Sequence, residues 1–183
     1  MTAPAKTNGH YLAITAIGSG SDKQAQQLIS NIIKRGCDLQ EVRINPLGNN
    51  ICANFLVSGN WSALARLEAA LPALGEQLAL AITFQRSEIT IKHNQSRPYG
   101  VEVIAPQKTD LLDRVLAFFA SQGVHINEIV MQNYQSSHTN ANMSNLQLMA
   151  FVPNNQHPQA LRESFMDLCD DLNADGLLDP IKT

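Results

Sequence analysis

Leu47 to Pro72 reads LGNNICANFLVSGNWSALARLEAALP. It opens with a turn, Leu47-Gly48-Asn49-Asn50, made of residues that tolerate positive φ. Ile51 to Val57 follows as a run of apolar and β-forming residues, and Ser58-Gly59-Asn60 breaks that run and offers a helix N-cap. Beyond the cap, Leu64, Leu67 and Leu71 recur three and four apart, the spacing of one helical face. Turn, strand, cap and amphipathic helix in this order make the second half of a βαββαβ unit. Trp61, the one tryptophan, stands at the helix start and is expected to pack the helix onto the sheet; its other use would be to stack on a ligand.

The first half of the unit lies upstream. Tyr11 to Ile17 reads as a strand, and Gly18 to Asp22 as a turn with a Ser or Asp cap. Leu28, Ile29, Ile32 and Ile33 share a helical face, and Gly36 stops that helix, where glycine takes the left-handed conformation without strain. Asp38 to Asn45 is the second strand, and Leu78 to Arg86 is expected as the fourth. The pattern then restarts at an offset of about 88, with Tyr11 answered by Tyr99, Asp22 by Asp110, Gly36 by Gly123 and Glu41 by Glu128. Strands are expected at Tyr99–Ala105, Ile126–Tyr134, Asn145–Val152 and Gly176–Ile181. The helices between them carry Leu112, Val115, Leu116 and Phe119, then Leu161, Phe165, Leu168 and Leu172. Repetition on this scale means two copies of one domain: residues 10–86, a polar linker over 87–98, and residues 99–183. The expected fold class is α+β, two ferredoxin-like units, each an antiparallel sheet with its helices on one face. The second copy has a longer polar hairpin, QSSHTNANMS, expected to be a mobile insertion.

The 183 residues are 44% hydrophobic and 16% charged, ordinary values for globular domains. Thirteen basic against sixteen acidic residues give a net charge of −3, and the longest basic cluster is Lys34-Arg35. A DNA-gripping protein neutralises several phosphates with clustered cations, so direct DNA binding is disfavoured. Cys37, Cys52 and Cys169 have no metal spacing, and an odd count without a secretory signal suggests reduced thiols in the cytoplasm. No apolar run approaches the ~20 residues of a membrane span. Gly18-x-Gly20 fails as a dinucleotide fingerprint, because its third glycine would fall at Lys23. The five histidines, His10, His93, His125, His138 and His157, lack metal-site spacing. No nucleophile elbow, P-loop or carboxylate cluster is present, so no reaction, metal or cofactor is indicated.

What remains is geometric. In a βαββαβ unit the first turn leads into a helix N-terminus, where backbone N–H groups and the positive helix end attract a carboxylate. The start of the second strand lies near the edge where two such units can meet. A small ligand with a carboxylate and an amine would suit that seam. The candidates are Gly18, Gly20, Ser21, Asp22 and Asp38 in the first copy, with Lys108, Thr109, His125 and Asn127 in the second. Turn N–H groups would hold the carboxylate and Asp38 the ammonium. The same residues serve equally well as plain turns and caps.

The doubled unit resembles a tandem pair of ACT domains, the regulatory modules that commonly bind amino acids. The blocks YLAITAIG, IIKRGCDLQEVR, LGNNICANFLVSGNW, LEAALP and LCDDLNADG are similar to those of glycine cleavage system repressors within that family, over nearly the whole chain after residue 9. The resemblance implies a cytoplasmic, non-enzymatic regulator without a DNA-binding domain. It would act by contacting a LysR-type activator, with glycine as co-regulator. The other function it leaves open is an amino-acid-sensing regulatory subunit of another protein or enzyme. ACT domains often pair edge to edge, which leaves pairing within one chain or across a homodimer open. The family's Asp-Arg-Pro-Gly turn is here Ser21-Asp22-Lys23-Gln24, and PQKTD in the second copy also lacks Pro-Gly. The family's Asn near the start of the second strand is here Asp38 in one copy and His125 in the other.

Overall fold

A computed structural model describes residues 10–19, 22–88 and 96–181. The chain divides into two compact units, Met1–Thr90 and Ile91–Thr183. The first contains β1 (His10–Gly18), α1 (Asp22–Lys34), β2 (Asp38–Leu47), β3 (Asn50–Gly59), α2 (Trp61–Leu78) and β4 (Ala81–Ser87). Its sheet runs β2-β3-β1-β4 with every pairing antiparallel. Leu12, Ile14 and Ala16 alternate inward on β1, as do Ala53, Phe55 and Val57 on β3. They meet Leu28 and Ile32 of α1 and Leu64, Leu67 and Leu71 of α2, which pack in the same buried cluster. Gly48 turns the β2–β3 hairpin at φ +60°, and Gly36 ends the α1 turn at φ +79°. Both positions exact strain from a side chain.

Two expectations need correction. The fourth strand begins at Ala81, because α2 runs through Pro72 and on to Leu78. Leu74 and Leu78 continue the period of Leu64, Leu67 and Leu71 and are buried, and this packing carries the helix past its proline. Ala79, at φ 55°, then caps it, and the Leu80 N–H donates to the Gly75 carbonyl at 2.9 Å. The second correction is Trp61, which is 64% exposed and not part of the core. It lies on the expected helical face, three residues before Leu64, but the sheet ends beneath the first turn. Its neighbours are strand termini, His10 at the start of β1 and Arg86 near the end of β4. Asn60 does cap α2, its Oδ1 accepting the Ala63 N–H at 2.8 Å.

The second unit repeats the order with β5 (Ser96–Pro106), α3 (Leu111–Ser121), β6 (His125–Gln135), β7 (Asn142–Pro153), α4 (Pro158–Leu172) and β8 (Asp175–Pro180). Its sheet runs β6-β7-β5-β8, again antiparallel. Phe119 of α3 and Phe165 of α4 are fully buried, with ring centroids 5.8 Å apart. Leu161 and Leu172 are buried beside them, while Leu168 is half-buried at the rim. Pro158 opens α4, where its missing N–H leaves no bond unmade. The long hairpin is strand at its two ends, Gln135 and Asn142 to Ser144, where the ladder pairs Gln135 with Asn142. The remaining loop is closed by Ser136 N–H to the Ala141 carbonyl and Asn140 N–H to the Ser136 carbonyl, both 2.9 Å.

β2 and β6 break register at the same place, between Leu39 and Glu41 and between Ile126 and Glu128. Each bulge leaves one extra residue, Gln40 or Asn127, outside the ladder.

Candidate ligand site

The sequence candidates fall into four places. Gly18 closes β1 opposite Ile51. A Cβ there would lie 2.5 Å from the Ala79 carbonyl oxygen and 3.0 Å from Leu80 Cδ2. Glycine at this position therefore lets the strand end approach the α2–β4 connection. Gly20 and Ser21 lie outside the described residues. Asp22 is the exposed first residue of α1, where its charge complements the positive helix end.

Asp38 is the exposed first residue of β2 and lies opposite Ser58. It sits in a charged surround read out by the neighbouring Cys37 thiol, whose pKa burial pushes up. The Arg66, Arg35 and Arg86 guanidiniums oppose that rise, and the Asp38 carboxylate adds to it.

In the second unit Lys108 is engaged: its Nζ donates to the Leu172 carbonyl at 3.1 Å, satisfying the C-terminal end of α4. Thr109 is exposed in the turn, and Asp110 precedes α3 without making a side-chain capping bond. His125 is exposed at the start of β6 opposite Phe151. Asn127 occupies the bulge, its Nδ2 3.7 Å from Met149 Sδ.

Within a unit these groups do not converge. Gly18 and Asp22 lie at the N-terminal end of the 13-residue α1, and Asp38 follows its C-terminal end. At 1.5 Å per residue the helix separates them by about 20 Å. The 11-residue α3 separates Lys108 and Thr109 from His125 and Asn127 by about 16 Å in the same way. No small amino acid reaches both ends of one unit.

Gln40 escaped the sequence reading. It is the bulge residue of the first unit, and its Nε2 donates to Ser58 Oγ at 2.8 Å. The stop glycines Gly36 and Gly123 are 87 residues apart, and the same step takes Gln40 to Asn127. That offset was the available signal. A bulge re-aims a side chain out of the ladder, so both units present an amide at the same point of the edge strand.

Among the described residues no group of three or more His, Cys, Asp or Glu is placed to hold a metal ion. No helix among them is long and apolar enough to cross a membrane.

The family model of the ACT domain matches residues 10–85. The chain is 26% identical over 172 residues to the glycine cleavage system transcriptional repressor of Escherichia coli (strain K12), covering 94% of this chain and 90% of that protein. The repressor of Shigella flexneri gives the same values. A crystal structure of a protein assigned as a glycine cleavage system transcriptional repressor matches with a TM-score of 0.74 and 25% identity, over 97% of this chain and all of that one. A protein of unknown function from Galdieria sulphuraria has the same fold, with a TM-score of 0.74 at 17% identity over 96% of this chain. Both halves of the chain thus carry the ferredoxin-like βαββαβ fold, residues 10–85 match the ACT domain, and the chain is similar over nearly its whole length to the glycine cleavage system transcriptional repressor.

Proposed function

We propose that this protein is a cytoplasmic, non-enzymatic transcription regulator that acts by contact with a LysR-type activator, with glycine as its co-regulator. The observation that carries this reading is the extent of the likeness to the repressors, 94% of this chain against 90% of theirs. Such a span aligns with both ACT domains and not with one borrowed module. The net charge of −3 supports regulation through protein contact, because direct DNA binding would need a basic stripe. The first ACT domain spans residues 10–86 and the second 99–183, joined by 87–98. Assembly as a homodimer belongs to the same reading.

Glycine binds where a helix-start turn of one ACT unit meets the second-strand start of another. The turn groups are Gly18 to Asp22 in the first domain and Lys108-Thr109 in the second. The strand-start groups are Asp38, His125 and Asn127. Asp38 accepts from the ammonium. Titration calorimetry with glycine, serine and alanine tests this, with Asp38→Asn as the probe that removes charge at nearly constant shape. Losing one charge-assisted contact should weaken glycine binding roughly 10- to 150-fold. Absence of heat with all three amino acids, at protein concentrations that register millimolar binding, would leave a partner-binding module without an amino-acid site. Co-purification of the untagged activator with this protein, with no co-purification of an unrelated LysR-type protein, tests the partner.

A further inference from the structure

One corner of the first unit carries an exposed aromatic held between Arg86 and His10. The Arg86 guanidinium lies 4.6 Å over the Trp61 ring, and the His10 ring stands edge-on at 5.5 Å. Arg86 is fixed in turn by Glu68, with bonds of 2.5 and 2.7 Å. Arg66 donates to Ser62 Oγ at 2.7 Å and to the Arg35 carbonyl at 3.4 Å, and Arg35 donates to Asn31. Neither Arg35 nor Arg66 has a carboxylate partner among the described residues. Trp and Arg dominate the energetics of protein interfaces, and a Trp already pinned by its neighbours loses little freedom on docking.

The complementary surface is on the same chain. The described residues of the first unit carry six acidic and six basic groups, whereas those of the second carry ten acidic and four basic, a net charge of −6. The exposed face of α4 presents Glu163, Met166, Asp167 and Asp170, spaced so that they line up along the helix. Met166 is 42% exposed amid these carboxylates. Methionine is an adaptable partner for an aromatic ring.

We propose that the Trp61 corner docks on the α4 face of a second copy of the chain, Trp61 against Met166 and Arg35 and Arg66 opposite Asp167 and Asp170. Two such contacts, each copy giving its corner and its helix, close a two-fold dimer. The opposed charges orient the encounter and make it salt-sensitive. The inference rests on the homodimer in the proposed function and assigns its surfaces; it does not depend on glycine or the activator.

Sedimentation velocity of the full chain over a concentration series, at low and high salt and without amino acid, tests it. The parent should dimerise, more weakly at high salt. Trp61→Ala should raise the dimer Kd roughly 30-fold. Arg66→Glu should weaken dimerisation, and adding Asp167→Arg to the same chain should restore it. These side chains are exposed, and unchanged circular dichroism shows that each variant folds. A dimer whose Kd is unmoved by Trp61→Ala and Arg66→Glu overturns the assigned surfaces and leaves the homodimer standing. Failure of the double variant to recover overturns the pairing of Arg66 with Asp167. A monomer under all conditions overturns both the surfaces and the homodimer.

Discussion

Replacing Gly18 by alanine separates two roles for this glycine, close packing and close approach of a ligand. The added Cβ would sit 2.5 Å from the Ala79 carbonyl oxygen and 3.3 Å from Leu80 Cα, both backbone atoms that cannot rotate away. Either the end of β1 or the α2–β4 connection has to move. Overpacking of this kind costs about 1–3 kcal/mol. For a domain of this size each kcal/mol lowers the melting midpoint by about 4–8 °C. Gly18→Ala should therefore lower the first unit's midpoint by about 4 °C to about 24 °C. Gly59→Ala is the control in the same unit, because its Cβ meets only side-chain atoms, Cys37 Sγ and Leu64 Cδ2 at 3.5 Å, and should leave stability within about 0.5 kcal/mol of the parent. Thermal unfolding followed by Trp61 fluorescence reports the first unit, since the chain's one tryptophan lies there. A Gly18→Ala protein that melts with the parent would refute the close-approach reading and return Gly18 to the ligand candidates.

Leu67→Ala, at a fully buried site, should cost about 2–5 kcal/mol, whereas Trp61→Ala forfeits an exposed cation–π contact of about 0.5–1 kcal/mol; equal shifts in a denaturant titration would contradict the exposed placement of Trp61. Lys108→Met removes the donor to the Leu172 carbonyl and should destabilise the second unit by about 0.5–1.5 kcal/mol; unchanged stability with lost glycine binding would make Lys108 a ligand group and not a cap. Burial, aided by Asp170 and Asp175, pushes the Cys169 thiol up to about 11 from 9.0. The folded state keeps this proton where the unfolded chain releases it, so stability is full below pH 9 and falls as pH rises from 9 toward 11. Alkylation of Cys169 at pH 8 should accordingly be slow in the native chain and fast in urea, and equal rates would refute the buried thiol.

The sequence by itself determined the local grammar of this protein. Leu64, Leu67 and Leu71 mark a helical face, Asn60 a cap, and Gly36 and Gly123 two helix ends, because each depends on backbone geometry and neighbours a few residues away. The repeat at one offset made two like domains legible, and with them the order of elements. Other features depended on how far one element extends over another. Trp61 has the right helical phase for the core, yet the sheet stops before reaching it. Pro72 is a local stop signal that Leu74 and Leu78 override by burying their side chains beyond it. The candidate ligand residues were grouped from the sequence by their positions in a motif. The sequence already put a helix between the members of each group, and the structure fixed the lengths, 13 residues in α1 and 11 in α3, that hold the two ends beyond the reach of one small ligand.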